Sequence, residues 1–352
     1  MTSCDSRIST GGHREIRSPG PGQEETPWPL DPDRLPSPGV PLIVCVVVTY
    51  SPRQERLQEL LQAVAPQVTR VILVDNGSVP GCMPWLRALA SPSIALIELG
   101  TNKGVAAAQN VGLAEARRGG CSHVLLLDHD SVPATTMVAE LLHAMAKVPA
   151  REEKIAAVGP RYLDERQHNP PPFIRIRGLR LVRCGCPTPE AIVEVDYLIA
   201  SGSLIPVSAL EAVGPMAEEL FIDYVDIEWG LRARRMGFKS YGVCAAGMAH
   251  DLGDEPILFL GRSLPVHSAL RHYYHFRNAV WLYRSAPVPF QWKVVDGFRL
   301  LLKYVFYSVF GRPRLQHLHM MSRGIYDGLL GRLGAFRAAG SRTVASAAKD
   351  EQ

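Results

Sequence analysis

An α/β architecture with a mostly parallel sheet is the fold class this sequence predicts, and three features predict it. Apolar runs at 42–50, 71–74 and 125–127, the first two rich in β-branched residues, have the composition of strands covered on both faces. A helical pattern separates the first run from the second. Each run closes on a residue with polar hydrogen-bonding groups, Thr49, Asp75 and Asp128. Sheets of this class bind ligands beyond the carboxyl ends of their strands, so these three residues are expected on one edge.

Residues 1–38 are rich in Pro, Gly, Ser and charge and hold no apolar signal-peptide core; they are expected to be a disordered tail that does not direct secretion. The main domain is expected over 39–286. Its first strand, LIVCVVVTY, ends at Thr49, and a helix follows from about Arg53 to Val64, with Leu57, Leu60, Leu61 and Val64 on one face. The second strand runs into Asp75-Asn76-Gly77-Ser78. There Asp75 either caps an Asn-Gly turn or offers its carboxylate to a ligand donor. The stretch GTNKGVAAAQNVG, from Gly100 to Gly112, brings small residues and amides into a helix running through Ala116. Its glycines lack the G-x-G-x-x-G spacing and it does not follow the first strand, which excludes a dinucleotide-dependent oxidoreductase.

The run Leu125–Ser131, LLLDHDS, ends in Asp128 and Asp130. Carboxylates at i and i+2 on an extended backbone point to the same side. Leaving both ionised at a strand end suits a divalent cation with an anionic ligand, a metal-bound diphosphate; the alternative is an Asp that caps the following turn. A site of oxygen ligands and phosphate takes Mg²⁺ or Mn²⁺. Further along, LFIDYVDIEWGLR carries Asp223, Asp226 and Glu228 ahead of Arg232, Arg234 and Arg235 on a helix. Acids first and bases later also complement a helix dipole, which accounts for the arginines better than for three acids.

In this order the motifs VVVTY, VDNGS, NKGVAAAQNVG, LLLDHDS, SGSLIP, LFIDYVDIEWGLRARRMG, MAHDLGD, RHYYHFRN and GIYDGLLGRLG resemble the inverting nucleotide-sugar glycosyltransferases of family 2, rhamnosyltransferase-like members above all. The resemblance covers roughly Val44 to Arg332. It implies the GT-A fold, a nucleotide-sugar donor and a glycan or lipid-linked acceptor. Residue by residue, it implies that Asp75 receives the pyrimidine base, that Thr49 lies beside the nucleotide, and that Asn102 and Gly104 sit near the nucleoside. Asp130 is then the direct metal ligand and Asp128 contacts the ribose or the metal's water shell, or the two roles are exchanged. His250, in MAHDLGD, matches an imidazole supplied to the same metal, which would favour Mn²⁺. Asp226 falls on the catalytic base, and Glu228 orients the acceptor or the helix end. Arg277, in RHYYHFRN, either reaches the diphosphate or belongs to a plain helix face. Two departures from the family pattern stand out: His129 where relatives carry Gln, and Val225 where relatives often place a second acid.

Inversion needs one base to take the acceptor proton while a cation offsets the charge building on the leaving diphosphate. The resemblance assigns these tasks to Asp226 and Asp130, and makes dTDP-L-rhamnose the expected donor. A galactofuranosyl or other UDP-hexose transferase is the near alternative. A nucleotidyltransferase would carry a glycine- and basic-rich loop after the first strand, absent from Ser51–Glu55. A catalytically silent membrane-associated scaffold would show no metal-dependent nucleotide binding.

Composition agrees with one catalytic domain and a smaller appendage: 352 residues, formal net charge +4 and a hydrophobic fraction of 47%. No nucleic-acid partner is expected, and the oligomeric state is left open. The seven cysteines show no CxxC pair and are expected as free thiols of a cytoplasmic protein. Residues 287–340 interleave Trp292, Phe298, Tyr304, Phe306 and Phe310 with Lys293, Arg299, Lys303, Arg312 and Arg314. The apolar run 300–310 is too short to span a bilayer. Two readings remain: a basic amphipathic segment lying peripherally on the inner face of the cell membrane, or a helical subdomain packed on the core or on a second subunit. Residues 341–352 are expected to be a disordered tail.

Overall fold

The computed structural model describes residues 41–148, 154–163, 173–250, 257–259, 262–264, 267–285 and 288–337; for His250, 257–259 and 262–264 it describes the backbone alone. Both expected tails lie outside the described residues.

The chain opens with β1 (Ile43–Thr49), α1 (Gln54–Val64), β2 (Arg70–Asp75), α2 (Met83–Ala88), β3 (Ile94–Glu98), α3 (Val105–Arg118) and β4 (His123–Asp128). All seven residues of β1 and all six of β2 are buried. The reason is the period of two in a strand. Val44, Val46 and Val48 pack with Ile72, Val74, Leu126 and the alanines of α3 on one face. Ile43, Cys45 and Val47 pack with Val71, Leu73, Leu125 and the apolar stripe of α1 on the other. The sheet thus has helices on both sides, and its β3-β2-β1-β4 half is parallel throughout, as expected. Gly112 lets α3 lie against β1; a Cβ there would stand 2.3 Å from a methyl of Val46.

After β4 come β5 (Ser131–Pro133), α4 (Met137–Lys147), β6 (Lys154–Leu163), β7 (Phe173–Arg177), β8 (Arg180–Cys184), β9 (Ile192–Val195), β10 (Leu204–Pro206), α5 (Val207–Val213), α6 (Val225–Arg235) and β11 (Phe238–His250). This half is mixed. β10 runs antiparallel between β4 and β6, β11 is parallel to β6, and β5 and β9 pair antiparallel with β11. The sheet is mostly parallel, as expected, and antiparallel strands enter it only beyond β4. Short β10 and β5 carry few residues of their own pattern, and their pairing is set by neighbours distant in sequence.

The cysteines correct an expectation. Cys186 is joined to Cys244 in a disulfide, with Cα atoms 5.7 Å apart, while Cys45, Cys82, Cys121 and Cys184 are free. The two partners are 58 residues apart. They meet because β9 folds back along β11, Ile192 opposite Val243, and Cys244 N–H donates to Ala191 O. No local spacing in the sequence encodes that meeting.

A two-stranded β12 (Ile257–Phe259) and β13 (Arg262–Leu264) precede the C-terminal helices α7 (Ala269–Ser285), α8 (Phe290–Phe310) and α9 (Arg314–Leu329). Phe276, Leu282, Trp292, Leu300 and Met321 join Tyr224 and Leu231 of the α6 region in one apolar cluster, so these helices pack directly on the element that carries Asp226.

Candidate active site

Three neighbouring strand ends form the floor of the site. In the parallel register Thr49 stands beside Asp75, and Val48 beside Asp128. The common edge expected from the sequence is therefore present.

Asp75 is 1% exposed, and its carboxylate is surrounded by donors. Thr49 Oγ1 donates to it at 3.2 Å, the N–H groups of Gly77 and Ser78 at 3.2 and 3.0 Å, and the Ser78 hydroxyl as well. Asp75 closes its own turn. A ligand N–H would replace one of the two hydroxyl donors. Asn76 extends the turn sideways: its amide donates to Asn102 Oδ1 at 3.1 Å and accepts from Lys103 N–H at 2.8 Å, while Asn102 Oδ1 also accepts from Gly104 N–H. The loops bearing Asp75 and Asn102 are thus one hydrogen-bonded unit. Two glycines make it fit. Gly77 has φ +79° with the Thr101–Asn102 backbone 2.5–2.6 Å from where its Cβ would be, and Gly104 has φ +91° against the Phe221 carbonyl at 2.6 Å.

On the opposite side, Ala200 and Ser201 tie the acids together. Ser201 Oγ accepts from Asp128 N–H at 2.9 Å and donates to Ser131 Oγ at 2.8 Å. The preceding Ala200 N–H points at Asp226 Oδ2, 3.4 Å away. Tyr162, on β6, donates to Ser201 O at 2.6 Å; burial, then the carboxylates of Asp128 and Asp226, push its phenol far above the usual range. The structure thus brings Asp226, about a hundred residues downstream, to the β4 strand end. Asp130 lies in the turn from β4 to β5, and β5 pairs with β11 so that His250 stands opposite Ser131, the residue after Asp130. Among the described residues no three His, Cys, Asp or Glu side chains form a metal cluster, and the His250 side chain is not one of those described.

Asp226 sits in the first turn of α6 and accepts from Ile227 N–H at 2.8 Å. Burial raises its carboxyl to about 6; the N–H groups of Ile227 and Ala200 oppose the rise, and the charges of Asp223 and Asp128 add to it. The backbone before it is unusual: Phe221, Asp223 and Tyr224 all have φ between 62° and 67°. Such non-glycine residues carry strain that the surroundings must hold. Asn278 holds it, its amide donating to the carbonyls of Leu220, Ile222 and Asp223 at 2.7–2.9 Å. Phe221 stacks on Tyr274 with centroids 5.0 Å apart.

Glu228 and Arg277 are engaged elsewhere. At i+2 on a helix, Glu228 points away from the face of Asp226. Arg232 binds it bidentately at 2.9 Å and also reaches the carbonyls of Val213 and Pro215. Arg277 is fully buried; it donates to Asn278 Oδ1 and to the carbonyls of Leu220, Glu219 and Gly334, and lies 4.8 Å from the Tyr274 ring centroid. Its guanidinium is thereby tied to α7, the Glu219–Leu220 turn and Gly334. Sequence reasoning missed Asn76, Tyr162 and Asn278. Asn76 and Asn278 stood inside quoted motifs, whereas Tyr162 ends a strand with no local signal.

Solved structures of similar fold include GalNAc-T7 with UDP, GalNAc and Mn²⁺ (TM-score 0.53, 12% identity, 84% of this chain) and residues 1–349 of S. aureus TarS with UDP-GlcNAc (TM-score 0.52, 13% identity, 82% of this chain and 80% of that one). The chain spans 57% of the length of the GalNAc-T7 structure. These likenesses show the fold, the GT-A fold. The family model for glycosyl transferase family 2 matches residues 44–186, and the dTDP-rhamnosyl transferase RfbF of Shigella flexneri is 30% identical over 297 residues, 84% of this chain and 98% of that protein. The chain belongs to glycosyl transferase family 2.

Proposed function

We propose that this enzyme transfers L-rhamnose, with inversion, from dTDP-L-rhamnose to a hydroxyl of a cell-surface glycan or a lipid-linked acceptor. The observation that carries the mechanism is the meeting of Asp226 and Asp128 across Ala200–Ser201, a proton-accepting carboxylate beside the strand-end acids. The donor sugar rests on the 30% identity to the dTDP-rhamnosyl transferase.

Asp226 takes the acceptor proton as the hydroxyl attacks the anomeric carbon. Its raised pKa suits the task, because a base works best when its pKa lies near the operating pH. Thr49, Asp75 and the Asn76–Asn102 unit line the nucleoside end, and Glu228 fixes α6 through Arg232 rather than touching substrate. Mg²⁺ or Mn²⁺ fits the donor set: Asp128 and Asp130 offer hard oxygens, and the β5–β11 register puts His250 alongside. Such a cation, when bound, offsets the negative charge of the departing diphosphate.

Because only ionised Asp226 accepts a proton, kcat/KM is expected to fall about tenfold per pH unit below about 6 and to level off above it. A pH profile at saturating metal measures this; a flat profile down to about pH 5 would remove Asp226 as the base. The donor is tested by thermal shift with dTDP-rhamnose, UDP-galactofuranose and UDP-glucose, each with and without Mn²⁺, since a ligand selective for the native state raises its stability. A metal-dependent shift with dTDP-rhamnose alone is expected. A shift confined to a UDP-sugar would discard rhamnose, and no shift with any would discard the transferase assignment of the site.

A further inference from the structure

We propose that the outer face of α8 is a docking surface for an anionic lipid bilayer, on which the helix lies parallel to the membrane plane. The face is one continuous stripe. Phe290, Val294, Phe298, Leu302, Val305 and Val309 follow at intervals of three or four residues and are 40–72% exposed. At a rise of 1.5 Å per residue the stripe is about 30 Å long, and exposed apolar surface that contiguous marks an interaction site.

The inward side of the helix is already engaged. Trp292 is buried, Asp296 accepts from the hydroxyls of Tyr224 and Tyr283 at 2.9 and 2.6 Å, and Lys303 meets His275 Nε2 at 2.9 Å. The helix lies on a bilayer rather than in it: among the described residues no helix is long and apolar enough to cross a membrane.

Charge selects the occupant. Between 288 and 337 the chain has eight Lys or Arg but only two acids, Asp296 and Asp327. Both acids accept from buried tyrosines, Asp327 from Tyr273 at 2.9 Å. The exposed charges that α8 and the start of α9 themselves carry, Arg299, Arg312 and Arg314, are therefore all positive. Aromatic and aliphatic side chains flanked by arginine match the headgroup region of an anionic membrane. A second copy matches poorly, because a twofold contact sets a patch against itself and would bring these arginines together with no acid between them. Through Asp296 the docking helix is bonded to Tyr224, two residues from Asp226, so docking would also set the orientation of the site above the bilayer.

The test is co-sedimentation of the full chain with phosphatidylcholine vesicles and with vesicles that also contain phosphatidylglycerol. Binding to the anionic vesicles alone, weakened by salt, is expected. The F298D/L302D variant should lose it, and R299E/R314E should lower the partition by roughly tenfold or more, both with the wild-type unfolding midpoint because all four positions are exposed. Equal binding to neutral vesicles, retained binding by F298D/L302D, or no binding by the wild type would overturn the proposal. So would light scattering that finds a wild-type dimer and a monomeric F298D/L302D, which would assign the face to a second copy. The donor panel contains no lipid, so failure here is distinct from failure of the rhamnosyltransferase reading.

Discussion

Asp226→Asn is expected to lower turnover by ~10²–10⁴-fold, the usual contribution of a general base, while the affinity for the nucleotide-sugar donor stays near wild type. The amide keeps the shape of the carboxylate, and its oxygen still accepts from Ile227 N–H. What disappears is the proton acceptor beside Asp128. Stability supplies a second readout. A carboxyl whose folded pKa is raised above its unfolded value disfavours the fold once ionised, so the loss begins above about pH 4 and is complete above about 6. At pH 7 the Asn variant should therefore unfold at the same temperature as the wild type or a higher one. Steady-state kinetics, donor titration and thermal unfolding separate the outcomes. Wild-type turnover would end the assignment, and inactivity with a lower midpoint would mean that the change had damaged the fold instead.

Arg277→Ala is expected to destabilise the chain by about 3 kcal/mol or more, through the loss of several charge-assisted hydrogen bonds and of a large buried side chain. Its guanidinium bridges α7, the turn at Glu219–Leu220 and Gly334, and lies against Tyr274. Truncation takes this donor from the Gly334 carbonyl, while Glu219 O keeps Gly334 N–H and Leu220 O keeps the Asn278 amide, and it opens a cavity among aromatic rings. Arg277→Lys should recover little, because one ammonium cannot reach carbonyls in several directions. Denaturant unfolding measures both variants. A change below about 1 kcal/mol for Arg277→Ala would show that Asn278, rather than Arg277, holds the backbone of 220–224.

The parallel half of the sheet was legible in the chain because its strands are buried on both faces and read as unbroken apolar runs, and because Asp75 and Asp128 end theirs abruptly. The close backbone contacts at Gly77 and Gly104 appear only in the fold. Asp226 was singled out from its motif, although nothing local says that Ala200 would link it to β4. Arg277 shows the limit of motif reading: Glu228 pairs with Arg232 four residues on in the same helix, within reach of a local pattern, whereas Arg277 is engaged by Gly334, 57 residues away. The free-thiol expectation failed for the same reason, since Cys186 and Cys244 meet only when β9 lies along β11.

By itself, then, the sequence determined what short-range patterning can encode: buried parallel strands, the helices between them, the polar residues at their ends and the family they mark. The tertiary structure alone decided the mixed half of the sheet, the disulfide, the raised proton affinity of Asp226 and the division of α8 into an engaged and an exposed face. Each of these depends on which distant elements exclude water from a given group, and burial is a property of packing that no single segment of chain possesses.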